Sequence, residues 1–146
     1  MLCGAEIDHA QGLAGHSDAD VAVHALMDAL LGASGLGDIG ELFPDTDPAF
    51  RDASSMKLLD KVMAWLTKNG WSVVNADVTI ICERPRLSGY RLEMRENLAA
   101  TLGVASDAVS VKATTTEGMG FEGRGEGIAA TAVCLLAREE QAPAER

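Results

Sequence analysis

No stretch of this sequence approaches the roughly 18 consecutive apolar residues that a membrane-spanning helix needs, and no basic segment followed by an apolar one opens it. Neither an anchor nor a signal peptide is expected, and the sequence reads as that of a soluble, cytoplasmic protein. Basic residues are scarce as well, 12 Lys and Arg against 22 Asp and Glu, a formal net charge of −10. Such a chain on average repels a nucleic-acid backbone, so neither nucleic acid nor a membrane is an expected partner. An anionic small ligand would have to be met locally, by a cation, a helix N-terminus, backbone amides or a few placed Arg and Lys. Cys3, Cys82 and Cys134 are odd in number and far apart. That fits neither a disulfide framework nor a CxxC metal site, and reduced core or edge thiols are expected.

What is present suffices for a single domain spanning 1–146, with 47% hydrophobic residues to build one core. In "GHSDADVAVHALMDALLG" (15–32), Ser17 followed three residues later by Asp20 matches a capping box, and a helix from about Asp20 to Ser34 follows. Val21, Leu26, Leu30 and Leu31 would face a core, while Asp20, His24 and Asp28 recur every fourth residue and share another stripe. "LGDIGELFPDTDPAF" (36–50) reads as an ordered loop with turns at Asp45 and Asp47. Residues 54–70 read as a helix capped by Ser54 or Ser55 and stopped by Gly70, 71–82 as a strand, and 88–103 as a third helix. Strands at 108–116 and 127–137 and a polar tail, frayed over 138–146, complete the chain. Helix, helix, strand, helix, strand, strand makes an α/β two-layer sandwich, a small mixed sheet with helices on one face.

Three regions carry residue types suited to chemistry. His24 alone is weak evidence for a metal, since a lone helical histidine is more often a packed or surface residue, but His16 beside a helix N-terminus can meet a phosphate. In "KATTTEGMGFEGRGEG" (112–127) the threonines offer hydroxyl and backbone donors, Glu117 can hold a hard cation and Arg124 can fork onto phosphate oxygens. On composition alone an ordinary hairpin reads as well there. "CERPRLSGY" (82–90) leaves a strand through Pro85, and such a loop can present backbone groups to a base, although Arg84 and Arg86 read equally as solvated charges.

Taken together, "HSDADVAVHALMDALLGASGLGDIGELFPDTDPAF", "NADVTIICERPRL" and "VKATTTEGMGFEGRGEGIA" resemble the 2-C-methyl-D-erythritol 2,4-cyclodiphosphate synthase family of non-mevalonate isoprenoid biosynthesis, over about Leu2 to Ala137. The resemblance implies a homotrimer about a threefold axis, with active sites between subunits. It also implies a phosphorus–oxygen lyase in which the 2-phosphate of a cytidine diphosphate derivative of methylerythritol attacks the β-phosphate and releases CMP. It assigns transition-state stabilisation to His16 and Thr115, and Ser17 to the loop over the methylerythritol phosphate. Asp38, Ile39 and Gly40, with Phe43, Pro44, Asp45, Thr46 and Asp47, match the methylerythritol-binding loops. Cys82, Glu83, Arg84, Pro85, Arg86, Leu87 and Ser88 match the cytosine pocket, read mainly through backbone. Thr114 and Thr116 join Thr115 in the phosphate cradle, and Phe121 and Arg124 complete the site, Arg124 with Glu126 pointing toward a central cavity for isoprenoid diphosphates. His24 matches a zinc ligand and Glu117 the ligand of a magnesium or manganese ion.

The family's first strand carries Asp-x-His, two of three protein ligands of the zinc. The sequence contains no such element: Asp8 and His9 are adjacent, and the ligand role is not carried onto them. An unpaired sheet edge or an uncovered core face is therefore expected. A truncated start of a normal enzyme, in some relatives fused to a cytidylyltransferase domain, is the favoured reading. The alternatives are a short form that binds nucleotide or isoprenoid diphosphate without turnover, and a metal-dependent phosphohydrolase, which would release inorganic phosphate.

Overall fold

Residues 1–10 and 18–140 are described by the computed structural model of this chain, and His16 and Ser17 lie outside them. The central element is β1, Trp71–Ile81, a β-branched segment with Val78 and Ile80 fully buried. It pairs in parallel with β2, Val109–Thr114, and antiparallel with β3, Ala129–Arg138. The sheet order is β2-β1-β3, mixed as expected, and the outer edges of β2 and β3 carry no partner strand among the described residues.

The helices α1, Val21–Ser34, α3, Ser55–Lys68, and α4, Arg91–Leu102, form the second layer. Along β3 the half-buried Ala130, Ala132, Cys134 and Leu136 pack against the core, while Val133 and Leu135 between them are 64% and 56% exposed. Helices thus cover one face of the sheet, and the other exposes Val133 and Leu135 beside the Asp77–Lys112 ion pair. On α1 the buried set is Ala22, Val23, Leu26, Met27, Leu30 and Leu31, with Val21 only half-buried at the first helical position.

Several expected boundaries shift for local reasons. The 36–50 segment is not all loop: it holds a single-turn helix, α2, Ile39–Leu42, and a 3-10 turn, Pro48–Phe50, capped by Asp38 and Asp47. Phe43 meets the Phe50 ring edge-on at 5.0 Å, and the Lys61 ammonium sits 4.8 Å over Phe50, tying the segment to α3. A 3-10 turn, Ser88–Tyr90, precedes α4. The strand expected over 108–116 stops at Thr114, because the next amides leave the ladder, and a short helix, α5, Gly120–Gly123, follows. The tail is held further than expected. Arg138 pairs with Trp71 and lies over its ring, and the Glu139 N–H donates to the Gly70 carbonyl at 2.9 Å. Residues 141–146 lie outside those described.

The expected cap of α3 by its own serine is replaced by a distant carboxylate. Ser54 makes no side-chain cap, and Asp18 accepts the Ser55 N–H at 3.1 Å together with a short bond from the Ser55 hydroxyl. The N-terminus of α1 is organised by Asp20, which has no solvent exposure. Its Oδ1 accepts the Val23 N–H at 3.1 Å as the N-cap, and also the Cys3 N–H at 2.9 Å, while Oδ2 takes the Gly4 N–H at 2.9 Å. Cys3 and Gly4, both left-handed at φ +47° and +71°, form a tight turn closed by reciprocal Leu2–Ala5 bonds. A Cβ on Gly4 would stand 2.9 Å from the Met56 Cγ, so glycine serves both φ and space.

No helix among the described residues is long and apolar enough to cross a membrane. All three cysteines are free thiols, and burial raises the pKa of each, so none is an activated thiolate. Replacing Asp20 with Ala strands three amides and is expected to cost about 3–5 kcal/mol, with Asp20→Asn milder. Urea unfolding checks this; a loss below about 1 kcal/mol would show that the turn holds without the carboxylate.

Candidate functional site

The register Ile81↔Thr114 ends the parallel pair β1 and β2 at one level, so the loops that follow leave the sheet side by side. The Cys82 N–H extends the ladder by one bond, to the Thr114 carbonyl at 3.0 Å. The carboxyl ends of parallel strands are where open α/β sheets place ligands. A cleft of about 310 Å³ opens there, lined by Glu83, Pro85, Arg86 and Ser88 from one loop and by Thr114 and Thr115 from the other. Two stretches singled out separately in the sequence thereby line one cleft.

Within the first loop the roles divide by burial. Cys82 and Leu87, at 5% and 3% exposure, belong to the core and form the floor, whereas Arg84, Arg86 and Ser88 are exposed. The Arg84–Pro85 bond is cis. Burial, and then the Glu83 charge, raises the Cys82 thiol, which lies 3.9 Å from the Pro85 carbonyl. Arg91 was not anticipated. It lines the cleft while its Nε donates to the Val111 carbonyl at 3.2 Å, a contact that only the packing of α4 on the β2 edge creates.

In the second loop Thr115 is exposed and its hydroxyl accepts the Glu117 N–H at 3.3 Å. Thr116 differs from its neighbours: its N–H donates to Glu83 and its hydroxyl makes a short bond to the Met119 carbonyl. It is engaged by the protein itself. Glu117 adopts φ +53°, a strained conformation for a residue with a side chain, and its exposed carboxylate makes no bond or ion pair among the described residues. Arg124 forks onto Glu126, Nε to Oε1 at 2.8 Å and Nη2 to Oε2 at 3.0 Å, which raises its pKa further. Phe121 is 46% exposed and packs over Gly127.

The other predicted residues form a second group around α1. Asp38 caps α2 through the Glu41 N–H at 2.9 Å, and the Ile39 N–H donates to Asp28 on α1 at 3.1 Å. Gly40 lies within α2, Phe43 packs on Phe50, and Pro44 to Asp47 form the exposed turn before the 3-10 segment. His24 Nε2 lies 3.1 Å from the Ser55 hydroxyl, itself bonded to Asp18. Ser55 carries no sequence signal for this role, because its partners are 31 and 37 residues away.

Zinc does not fit the described residues. No three His, Cys, Asp or Glu side chains cluster among them, Asp28 already holds the Ile39 amide, and His24 is one ligand where about three are needed. A magnesium or manganese ion does fit Glu117, since such ions use one or two carboxylates and complete their shell with phosphate oxygens and water.

A cleft at the ends of parallel strands, lined by hydroxyls and arginines, is the kind of site that α/β proteins use for phosphorylated small molecules. More particularly, the chain belongs to the YgbB family, whose sequence model matches residues 1–137. The 2-C-methyl-D-erythritol 2,4-cyclodiphosphate synthase of Rubrobacter xylanophilus is 59% identical to it over 138 residues, 94% of this chain and 83% of that relative. The bifunctional enzyme IspD/IspF of Desulforudis audaxviator is 58% identical over 94% of this chain, which spans 35% of that protein. Among solved structures, the bifunctional IspDF from Campylobacter jejuni superposes with a TM-score of 0.91 at 43% identity, covering 95% of this chain and 38% of that one. A 2C-methyl-D-erythritol-2,4-cyclodiphosphate synthase in a CDP-bound form gives 0.85 at 37% identity, covering 94% of this chain and 89% of that one.

Ser55→Ala removes the hydroxyl between Asp18 and His24 but leaves the Ser55 amide capped, and is expected to cost about 1–2 kcal/mol. The same variant should shift the His24 ring-nitrogen resonances, because the bond at Nε2 selects the tautomer. An unchanged imidazole signal would show that the Ser55 hydroxyl does not orient the His24 ring.

Proposed function

We propose that this chain is a cyclodiphosphate synthase, converting 4-diphosphocytidyl-2-C-methyl-D-erythritol 2-phosphate to 2-C-methyl-D-erythritol 2,4-cyclodiphosphate and CMP, as a homotrimer in the cytoplasm. The observation that carries the reading is the in-register exit of β1 and β2, which joins the 82–88 loop and Thr114–Thr115 in one nucleotide-sized cleft. Identity of 59% to a relative bearing that enzyme's name supports it.

The reaction is intramolecular. An oxygen of the 2-phosphate forms a bond to the β-phosphorus, the bond from that phosphorus to the oxygen bridging to the α-phosphate breaks, and CMP leaves with that oxygen. The nucleophile is already anionic, so the protein's task is positioning and charge neutralisation rather than proton abstraction. Backbone groups of the 82–88 loop hold the cytosine, with Cys82 and Leu87 fixing the loop from below. The Thr115 hydroxyl and its neighbouring amides donate to the phosphates, most strongly as charge builds in the transition state. Magnesium or manganese on Glu117 supplies the positive charge that neutralises the diphosphate.

Asp38 to Asp47 take the methylerythritol end, with His16 and Ser17 from the segment outside the described residues. Within one chain no hydrogen bond or ring contact among the described residues joins this group to the cleft, which favours sites completed by a neighbouring subunit. The exposed Val74, Val133 and Leu135 on the sheet's uncovered face favour the same trimer, with Phe121 and Arg124 at a central cavity suited to isoprenoid diphosphates. Among the described residues, His24 is the one family position for zinc.

Incubating the purified chain with the cytidyl substrate and magnesium should release CMP and the cyclic diphosphate without inorganic phosphate; no CMP, or inorganic phosphate in its place, overturns the reading. Thr115→Ala should lower kcat by about 10²-fold or more while CMP affinity changes little, since the hydroxyl acts on the transition state. Equal losses in both would remove that role. Glu117→Gln should weaken CDP binding in magnesium and abolish the response of affinity to added magnesium; an unaltered metal dependence would place the cation elsewhere.

A further inference from the structure

Glu83 follows β1 by two residues, and its side chain turns across to the loop that leaves β2. A single oxygen, Oε1, accepts the Thr116 N–H at 3.0 Å and the Gly118 N–H at 3.2 Å. Both amides lie on one turn, bent by the left-handed Glu117 and Gly118 at φ +53° and +81°. Amides turned inward in this way converge on an anion. Here the anion is the chain's own carboxylate, and Glu83 forms no ion pair among the described residues that would draw it away. The pocket of amides is therefore not open to a phosphate. Its effect is to lock the segment bearing Thr115 and Glu117 onto the segment expected to hold the base.

We propose that Glu83 is a positioning residue: it braces the Thr115–Gly118 turn against the 82–88 loop and so sets the distance between the base side and the phosphate side of the cleft. The brace itself stands on the hydrogen bonds; its consequence for ligands rests on the nucleotide reading above. A carboxylate is suited to the task because charge-assisted bonds to backbone N–H groups are about twice as strong as neutral ones. Glutamine keeps one acceptor oxygen at the same reach, and alanine keeps none.

The test uses the full chain with Glu83→Ala and Glu83→Gln, reading amide hydrogen exchange residue by residue and CDP affinity in magnesium by calorimetry. In Glu83→Ala, exchange at Thr116 and Gly118 should accelerate about tenfold or more, while Val78 and Ile80 in the sheet stay protected. CDP affinity should fall about tenfold in the same variant, and Glu83→Gln should recover most of both losses. Unchanged exchange at Thr116 and Gly118 in Glu83→Ala overturns the brace, whatever happens to binding. Faster exchange with undiminished CDP affinity overturns the positioning role. Failure of the nucleotide reading would appear separately, as no CDP binding by the unsubstituted chain; that would overturn the link to nucleotide, while faster exchange in Glu83→Ala would still uphold the brace.

Discussion

Asp20 binds three parts of the chain through one buried carboxylate: the first turn of α1, the tight turn at Cys3 and Gly4, and, through that turn, the packing of the N-terminal residues on the core. A charge without solvent contact is tolerated because three N–H groups replace the water it has lost. The constraint passes outward. The Cys3 carbonyl accepts from Asn97 on α4 at 3.2 Å, and Gly4 abuts Met56 on α3, so the turn that Asp20 holds touches two further helices. Leu2, Cys3 and Ala5 join the same core as α1 and the sheet.

Asp20 is one of a series. Asp18 caps α3 from outside it, Asp28 receives the first amide of α2, Asp38 and Asp47 cap short helical turns, and Glu83 gathers the loop after β2. The stripe Asp20, His24, Asp28 on α1 is accordingly a row of attachments: to the N-terminal turn, to Ser55 at the start of α3, and to α2. Part of the acidic excess is thus structural. These carboxylates bind backbone N–H groups, and the site depends on them, since three of its segments start or end at such a bond. Glu117 differs in having no such bond among the described residues, which is what suits it to a cation.

Much of the architecture was legible because it rests on periodicity. The β-branched run of β1, the spaced leucines of α1 and the alternation in β3 each specify an element from neighbours in sequence, and the α/β class follows from their order. Boundaries were less legible where a distant group sets them. The strand expected to reach residue 116 stops at Thr114 because Glu83, 33 residues earlier than Thr116, takes the next amide. The cap of α3 was sought in Ser54 or Ser55, yet the oxygen comes from Asp18, 37 residues before Ser55. Arg91 and Ser55 joined the site through packing of α4 on β2 and of α3 on α1, and neither has a local signature.

The sequence by itself determined which chemical groups are available: threonines, a carboxylate suited to a cation, arginines beside a proline-fixed loop, and the motifs that mark the family. Such information lies in residue identity and short spacing. Only the tertiary structure decided which of those groups are still available to a ligand, because that depends on what each has already bonded. Thr116 and Arg124 are taken by Glu83 and Glu126, while Thr115 and Glu117 remain exposed at the end of the parallel strands. Hydrogen-bonding capacity is finite, and partners close in space but far apart in sequence determine how it is divided.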